Sequence, residues 1–441
     1  LGSKFCARAR ALLALAPRGP ARRRGPMEME ELKLSGPPLE VEPPPEAYPE
    51  PPPPLPLTGS EPLPIRTAAH TFDVQFHPRD PIVVTCNVEG DVELHSFDRD
   101  LGTTEPLRSL RCHTDSCRTA RFLPDGGAAG GSSSSQAGAT SARLATAAAD
   151  RLAAVTDLET GKKLWKARMT GAGNVVLPMG GELFAVGDDD GGLRIFDTRQ
   201  KKATVRWQES EDYISDLAFR EDTGAICATS GEGTLAVYDV RKAGTKGLIA
   251  MSDFQEDELL SCCIMKGGKR VVCGSQSGVL AVFFWGDFGD QKDRIKGHPL
   301  SVDTMVKLDE ETLLTGSSDG KVRVVGVYHH ERNNSVVGIA ADHGDYPLER
   351  LALSPCGGLF ASVSHIQPAV KLWSMEVVEQ ILAGEVPGDA QDAAADAAAD
   401  VDSDDSDEPP PPKRPKKTKK GKGVQRKNET QRLATGFFNK L

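Results

Sequence analysis

A strand–turn–strand pattern that recurs through most of the chain is the strongest constraint on its fold. Residues 313–325, LLTGSSDGKVRVV, are the clearest copy: two apolar runs flank the turn dipeptide Asp319-Gly320. Such a dipeptide favours a β-hairpin, because glycine tolerates positive φ and aspartate hydrogen-bonds to the turn backbone. Seven copies follow one another, and the first apolar residues of their second strands are Val92, Ala153, Leu193, Leu235, Leu280, Val322 and Val370.

The spacing of the copies indicates the architecture. Successive copies are 61, 40, 42, 45, 42 and 48 residues apart. The longest step contains a low-complexity run at residues 126–142, GGAAGGSSSSQAGATSA, which is typical of a flexible insert and whose removal leaves 44 residues. A period of about 40–45 residues is typical of four-stranded propeller blades. The sequence therefore predicts an all-β fold, a seven-bladed WD40 β-propeller over residues 65–385.

Two positions in each copy are predicted to stabilise the blades. The first position lies three residues before the first apolar residue of the second strand. A turn carboxylate there can accept hydrogen bonds from turn amides and from a histidine at the start of the blade. The turn residues assigned to this role are Asp150, Asp190 and Asp319, and the blade-entrance histidines are His298 and His343. Three residues after the apolar residue, rings are predicted to pack between neighbouring blades, at Phe196, Tyr238, Phe283 and Trp373.

Both ends of the chain differ in composition from the repeats. Residues 1–64 are rich in arginine and then in proline, and they are predicted to be disordered. Within them, residues 1–26 fit either a transit peptide or translated upstream sequence before a true start at Met27. Residues 386–441, acidic and then basic, are predicted to be a disordered tail. The outer strand of the last blade is predicted to come from residues 63–67 or from residues 377–382.

The tail carries two candidate recognition segments. Residues 413–427, KRPKKTKKGKGVQRK, resemble a nuclear localisation signal. The cations assigned to that signal are Lys413, Arg414, Lys416, Lys417, Lys419 and Lys420. Such a cluster would also contact RNA phosphates without sequence selectivity. Phe437 and Phe438 are adjacent rings in a polar tail and are predicted to form a short docking motif, the alternative being incidental apolar residues at a chain end.

No pattern in the sequence predicts catalysis. Neither GxxxxGK[ST] nor HExxH occurs, and residues 316–320, which fit GxSxG, lead into a strand where that motif needs a helix. The nine cysteines form no CxxC pair, which favours reduced, buried thiols. His113, beside Cys112, is interpreted as a structural histidine rather than a metal ligand. We therefore predict no enzyme activity, metal, cofactor, small-molecule substrate or membrane span.

Two loops are candidates for binding a protein partner. The sequences FDTR, ending at Arg199, and YDVR, ending at Arg241, occupy the same place in consecutive blades. They place both arginines just after a blade strand and on one predicted face, where guanidinium groups suit partner carboxylates. The alternative is that each arginine only forms an ion pair within its own blade.

Longer segments resemble the WD repeat-containing protein 55 family. They include WGDFGDQKDR at residues 285–294, TGSSDGKVRVV at 315–325 and NSVVGIAADHG at 334–344, and the Phe437-Phe438 pair also resembles paired phenylalanines near that family's C-terminus. The resemblance covers residues 65–385 and that tail. It implies a non-enzymatic scaffold of the nucleus and nucleolus, with the cytoplasm as a second location. It also implies a role in ribosome biogenesis and ribosomal RNA processing, through binding of pre-ribosomal proteins.

A second resemblance offers an alternative function. FDTR and YDVR are similar to the WDxR motif by which some propellers bind the damaged-DNA-binding adaptor of cullin-4 ubiquitin ligases. In this chain Phe196 and Tyr238 replace the tryptophan of that motif. The alternative expectation is a substrate receptor that binds the ligase adaptor through Arg199 and Arg241.

Overall fold

The blades form a closed ring of seven antiparallel sheets. The computed structural model describes residues 61–124, 143–242, 244–255, 257–328, 334–364 and 369–384. Within these ranges, twenty-eight strands form seven four-stranded sheets. The first strand of each sheet contacts the first strand of the next, and the last sheet contacts the first in the same way. The predicted seven-bladed propeller is confirmed.

The first four blades follow chain order. Blade 1 comprises β2 (Thr71–Phe76), β3 (Ile82–Asn87), β4 (Asp91–Asp98) and β5 (Thr103–Arg111). Blade 2 comprises β6 (Cys117–Leu123), β7 (Arg143–Ala148), β8 (Leu152–Asp157) and β9 (Lys163–Arg168). Blade 3 comprises β10 (Gly173–Pro178), β11 (Leu183–Asp188), β12 (Gly192–Asp197) and β13 (Val205–Gln208). Blade 4 comprises β14 (Ile214–Arg220), β15 (Ala225–Ser230), β16 (Leu235–Asp239) and β17 (Leu248–Met251), with a 3-10 helix at Gly244–Gly247.

The remaining blades complete the ring. Blade 5 comprises β18 (Leu259–Met265), β19 (Arg270–Ser275), β20 (Leu280–Phe284) and β21 (Asp293–Ile295). Blade 6 comprises β22 (Val302–Lys307), β23 (Thr312–Ser317), β24 (Lys321–Gly326) and β25 (Ser335–Asp342). Blade 7 comprises β26 (Leu348–Leu353), β27 (Leu359–Ser364), β28 (Ala369–Ser374) and, as its outer strand, β1 (Leu63–Arg66).

The N-terminal strand therefore closes the last blade. β1 pairs antiparallel with β28, and Ile65 lies opposite Val370. Leu63 and Ile65 are buried whereas Arg66 is exposed, as the alternation of a strand requires. Residues 377–382, the other candidate for this position, belong to helix α1 (Glu376–Ala383), which packs beside β25. The propeller begins at Leu63, two residues before the predicted boundary.

Successive blades are also joined by hydrogen bonds near the ring axis. Each first strand carries a bulge at the same place. In three blades the residue after the bulge accepts a hydrogen bond from a backbone amide of the next blade. These bonds run from Ala120 N to Asp73 Oδ2 at 2.9 Å, from Cys262 N to Asp216 Oδ2 at 3.0 Å and from Leu351 N to Thr304 Oγ1 at 3.2 Å.

The predicted aromatic positions lie between blades. Phe196, Tyr238, Phe283 and Trp373 are all buried, with at most 5% of their surface exposed. Tyr238 stacks on Trp207 of the preceding blade, with ring centroids 4.8 Å apart. This prediction is confirmed, and the rings fill the wedge between adjacent sheets, where apolar burial stabilises the ring.

Chain direction alternates along each blade, so its loops fall on two faces. Loops from first to second and from third to fourth strands lie on one face. We call this the arginine face, because it carries Arg199 and Arg241. Loops from second to third strands and between blades lie on the other face. We call this the carboxylate face, because it carries Glu232 and Asp253.

Several predictions concern residues outside the described ranges. The N-terminal Arg/Pro-rich segment up to residue 60, the whole insert at 126–142, the basic block at 413–427 and the Phe437-Phe438 pair all lie there. Within the described ranges, no helical segment has the length and apolar character needed to cross a bilayer.

Candidate partner-binding faces

Arg199 and Arg241 occupy equivalent positions after the third strands of blades 3 and 4. Arg199 Nε and Nη2 lie 2.8 and 2.7 Å from the two carboxylate oxygens of Asp197, and Arg241 Nε lies 2.9 Å from Asp239 Oδ1. The aspartates are buried, yet the arginine side chains are 71% and 70% exposed. The intrablade ion pair therefore exists, and it still leaves each guanidinium open to a partner on the shared face.

The same aspartates hold the arginine loops in one conformation. Asp197 Oδ1 accepts the Arg199 amide at 3.0 Å, and Asp239 Oδ1 accepts the Arg241 amide at 3.1 Å. Hydrogen bonds from these arginines hold the pKa of both carboxyls below the usual range for aspartate. Both carboxylates stay ionised at neutral pH, so the two guanidinium groups are oriented before any partner arrives, which reduces the entropy lost on binding.

The loops around the two arginines carry additional positive charge. Lys201 and Lys202 follow Arg199, and Lys242 and Lys246 follow Arg241, and all four are exposed. No acidic residue occurs between Thr198 and Thr204. This part of the arginine face is therefore suited to an acidic partner surface.

The histidine of blade 2 makes the structural contacts predicted for it. His113 Nδ1 lies 3.1 Å from Asp150 Oδ2, and its Nε2 lies 2.8 Å from Thr146 Oγ1. Asp150 also accepts the Leu152 amide at 3.0 Å, which fixes the turn. The network uses every polar atom of the imidazole inside the blade, so His113 is not available as a ligand or a base.

The corresponding histidines of blades 6 and 7 bind hydroxyl groups instead of carboxylates. His298 Nε2 lies 2.8 Å from Thr315 Oγ1, while Asp319 receives two hydrogen bonds from Arg323 and one from the Lys321 amide. Asp319 is thus the predicted turn residue, but arginine replaces histidine as its side-chain partner.

In blade 7, a single hydroxyl joins the histidine to the aromatic position. His343 Nδ1 lies 2.6 Å from Ser362 Oγ, and Trp373 Nε1 donates to that same oxygen at 2.8 Å. Burial lowers the pKa of His298 and of His343 to about 4, so both imidazoles are neutral at physiological pH.

The turn residue predicted for blade 3 is wrong by two positions. Asp188, not Asp190, places its carboxylate in the turn, accepting the Gly192 amide at 2.7 Å and the Asp190 amide at 3.2 Å. Asp188 also binds the Arg194 guanidinium and is fully buried. Asp190 is exposed, because the turn already has a carboxylate at the end of the preceding strand.

Thiols and metal-ligating residues are dispersed through the blades. Among the residues that the structure describes, no group of three or more His, Cys, Asp or Glu side chains is arranged to hold a metal ion. Eight described cysteines are free, and burial raises the pKa of Cys227 and of Cys263 to about 12. Such thiols remain protonated and behave as small apolar side chains.

Some contacts on the arginine face carry no signal in the sequence. The Arg220 guanidinium lies 4.3 Å from the Trp285 ring centroid, and Arg270 lies 3.5 Å from that of Phe284. Arg99, placed in blade 1 much as Arg199 is in blade 3, instead reaches the Glu376 carboxylate of α1 at 2.9 Å. These partners are distant in the chain, so no local pattern predicts them.

Comparisons with known proteins agree with this architecture. A family model described as WDR55 matches residues 62–378. WD repeat-containing protein 55 of Arabidopsis thaliana is 35% identical over 335 residues, covering 75% of this chain and 88% of that protein. The Homo sapiens protein of the same name is 31% identical over 310 residues, covering 70% of this chain and 75% of its own. WD repeat-containing protein JIP5 of Coprinopsis cinerea is 35% identical over 315 residues, covering 68% and 71%.

The family match coincides with the ring itself. The matched residues 62–378 run from the closing strand β1 into helix α1. The resemblance inferred from short segments of the sequence is confirmed. The chain therefore belongs to the WDR55 family of WD-repeat proteins.

Proposed function

We propose that this protein is a non-enzymatic scaffold of the nucleolus, which supports ribosome biogenesis and ribosomal RNA processing by binding pre-ribosomal proteins. The observation that carries the proposal is how the blades use their polar groups. His113 and Asp150 contact each other inside the ring, and His298 and His343 are buried there with one ring nitrogen on a hydroxyl group. Arg199 and other charged loop residues project from the faces of the ring. A rigid ring that displays loops is suited to holding partners.

The compartment is proposed from the basic tail. The block at residues 413–427 carries clustered cations suited to nuclear import and to non-specific contact with RNA phosphates. We expect a tagged full-length chain to accumulate in the nucleolus, and we expect replacement of its six assigned cations by glutamine to shift the signal to the cytoplasm. The substituted positions are Lys413, Arg414, Lys416, Lys417, Lys419 and Lys420.

Charge-retaining exchange of the same six positions, lysine for arginine and the reverse, is the matched control and should leave the location unchanged. A purely cytoplasmic signal from the unmodified chain, unaffected by the glutamine substitutions, would contradict the proposal. Depletion of the protein should also cause ribosomal RNA precursors to accumulate on northern blots, and expression of the unmodified chain should restore their processing.

A receptor for a cullin-4 ligase is the second candidate, because Arg199 and Arg241 are exposed on one face in equivalent loops. Changing both to glutamate should abolish co-purification with the damaged-DNA-binding adaptor. Arg206→Glu, an exposed charge reversal on β13, is the control. Undiminished recovery of the adaptor with the double variant would exclude this mode of binding.

A further inference from the structure

Three large apolar side chains are exposed along one arc of the carboxylate face. Phe254, Leu300 and Tyr346 have 72%, 50% and 36% of their surface exposed. They lie in the three successive loops that enter blades 5, 6 and 7. We call these three residues the apolar arc. Large side chains concentrated on one face of a folded ring indicate a contact surface, since burying them in a complex is favourable.

The loops of the apolar arc are joined into one surface. Gly278 lies between them, so close to the carbonyls of His298 and Leu300 that a Cβ atom there would approach them to 2.3 and 2.6 Å. The connecting hydrogen bonds run from Ser277 N to Asp257 Oδ2 at 2.6 Å, from Ser301 Oγ to Ser318 Oγ at 2.6 Å and from His343 N to Gly320 O at 2.8 Å. A ligand can therefore cross from blade 5 to blade 7 over loops that contact one another.

A group of carboxylates borders the apolar arc beside Phe254. We call it the acidic rim, and its members are Glu211, Asp212, Glu232, Asp253, Asp257 and Glu258. No lysine or arginine occurs in the described residues of the loops that hold them, 209–213, 231–234 and 252–258. Along the apolar arc itself, Lys296 contributes a single cation among the described residues of its loops.

The contacts within the acidic rim leave its charge in place. Glu232 Oε2 accepts the Glu211 amide at 3.0 Å, and Glu258 Oε2 accepts the Tyr213 hydroxyl at 3.1 Å. The Glu211 amide is a neutral donor, so it orients the Glu232 carboxylate without compensating its charge.

We propose that the apolar arc and the acidic rim together bind a polypeptide segment of another protein, rich in lysine and arginine and carrying large apolar anchor residues. The cations would pair with the rim carboxylates, and the anchors would bury Phe254 and Leu300. The Phe254 and Tyr346 rings would also attract cations through their faces. Nucleic acid is disfavoured here, because the phosphates would meet like charge.

This inference names the chemistry of one partner of the proposed scaffold and rests on that role, but its test is independent of the cell. The probe is a fluorescent fifteen-residue peptide alternating lysine pairs with leucine and phenylalanine, titrated into the full-length chain and followed by anisotropy. We expect saturable binding that weakens as salt is raised. Phe254→Ala should weaken binding at least about tenfold, as removal of a central anchor does.

Matched variants distinguish binding at this site from non-specific electrostatic attraction between the cationic peptide and the protein. Asp253→Lys should weaken binding and flatten its salt dependence, whereas Ile249→Ala, a truncation of another exposed apolar side chain on β17, should not change it. A peptide with alanine at its apolar positions should bind more weakly than the original. Equal losses for Phe254→Ala and Ile249→Ala, or no loss with either Phe254→Ala or Asp253→Lys, would overturn the proposal.

The chain's own basic block is the rival occupant. If the full-length chain binds the probe only after the six cations between Lys413 and Lys420 are changed to glutamine, the tail occupies the arc and the proposal of a separate partner is wrong. Binding that is the same with and without those substitutions supports the proposal. A normal nucleolar signal with failed peptide binding would reject this inference alone.

Discussion

Burial keeps the blade-entrance histidines neutral. His298 and His343 are 7% and 1% exposed, and each uses one ring nitrogen on a hydroxyl group. Their pKa of about 4 lies below the ordinary value of 6.5, because a charged imidazole would lose its hydration inside the blade. The unfolded chain therefore binds more protons than the folded chain between these two values.

We accordingly expect the free energy of unfolding to fall as pH drops from about 6.5 to about 4, and to be insensitive to these groups above pH 7. Between pH 8 and pH 5 each histidine should contribute about 2 kcal/mol of the loss. Urea denaturation at several pH values measures this change. His343→Gln, which cannot be protonated, should remove about 2 kcal/mol of the loss between pH 8 and pH 5. A pH profile that is identical with and without this substitution would show that burial does not control the imidazole.

The closing strand β1 is the element on which blade 7 depends. It supplies the fourth strand of a sheet whose other three strands come from the opposite end of the repeat array. Leu63 and Ile65 enter the core shared by blades 7 and 1, beside Val370 and Leu372. Without β1, β28 would be an exposed edge with unpaired backbone groups.

We expect Ile65→Asp to reduce the free energy of unfolding by about 4 kcal/mol or more, because it removes a fully buried side chain and places a charge in an apolar core. Arg66→Asp, one residue along on the exposed side of the same strand, is the control and should change stability by less than about 1 kcal/mol. Thermal and urea unfolding followed by circular dichroism measure both. Similar losses for the two variants would mean that β1 is not held in this register.

Ring closure as a whole rests on contacts that join blades distant in sequence. Asp73, fully buried in blade 1, accepts the Ala120 amide of blade 2, binds the Arg121 guanidinium and lies 3.6 Å from Arg350 Nε of blade 7. One carboxylate thus joins three blades near the axis. Removing one member of such a buried pair leaves the other charge uncompensated.

Asp73→Ala should therefore cost about 3–5 kcal/mol and should lower the midpoint of one cooperative transition rather than divide it, since every blade is held by two neighbours. Differential scanning calorimetry measures the midpoint and the cooperativity. Asp100→Ala, at an exposed position of the same blade, should leave the midpoint unchanged. Two separate transitions in the Asp73 variant would indicate that blades unfold independently.

Much of the fold follows from local patterns in the chain. Blade number follows from the spacing of the turns, because each four-stranded sheet needs a nearly constant length of chain. The buried rings at Phe196, Tyr238, Phe283 and Trp373 follow from their fixed offset within each copy, because side-chain direction alternates along a strand. The equivalence of Arg199 and Arg241 follows from their fixed offset after the third strand of each copy.

Contacts across long separations are not visible in such patterns. Spacing does not reveal that Asp188 forms the turn instead of Asp190, that Arg323 takes the place of His298 beside Asp319, or that β1 closes blade 7. In each case two chemically suitable groups compete, and the geometry of the assembled ring selects one. The apolar arc illustrates the same limit, since Phe254, Leu300 and Tyr346 become neighbours only when three separate loops meet on one face. Repetition within the chain sets how many blades form, and packing between blades sets which side chains meet, because the first depends on local backbone periodicity and the second on contacts between distant segments.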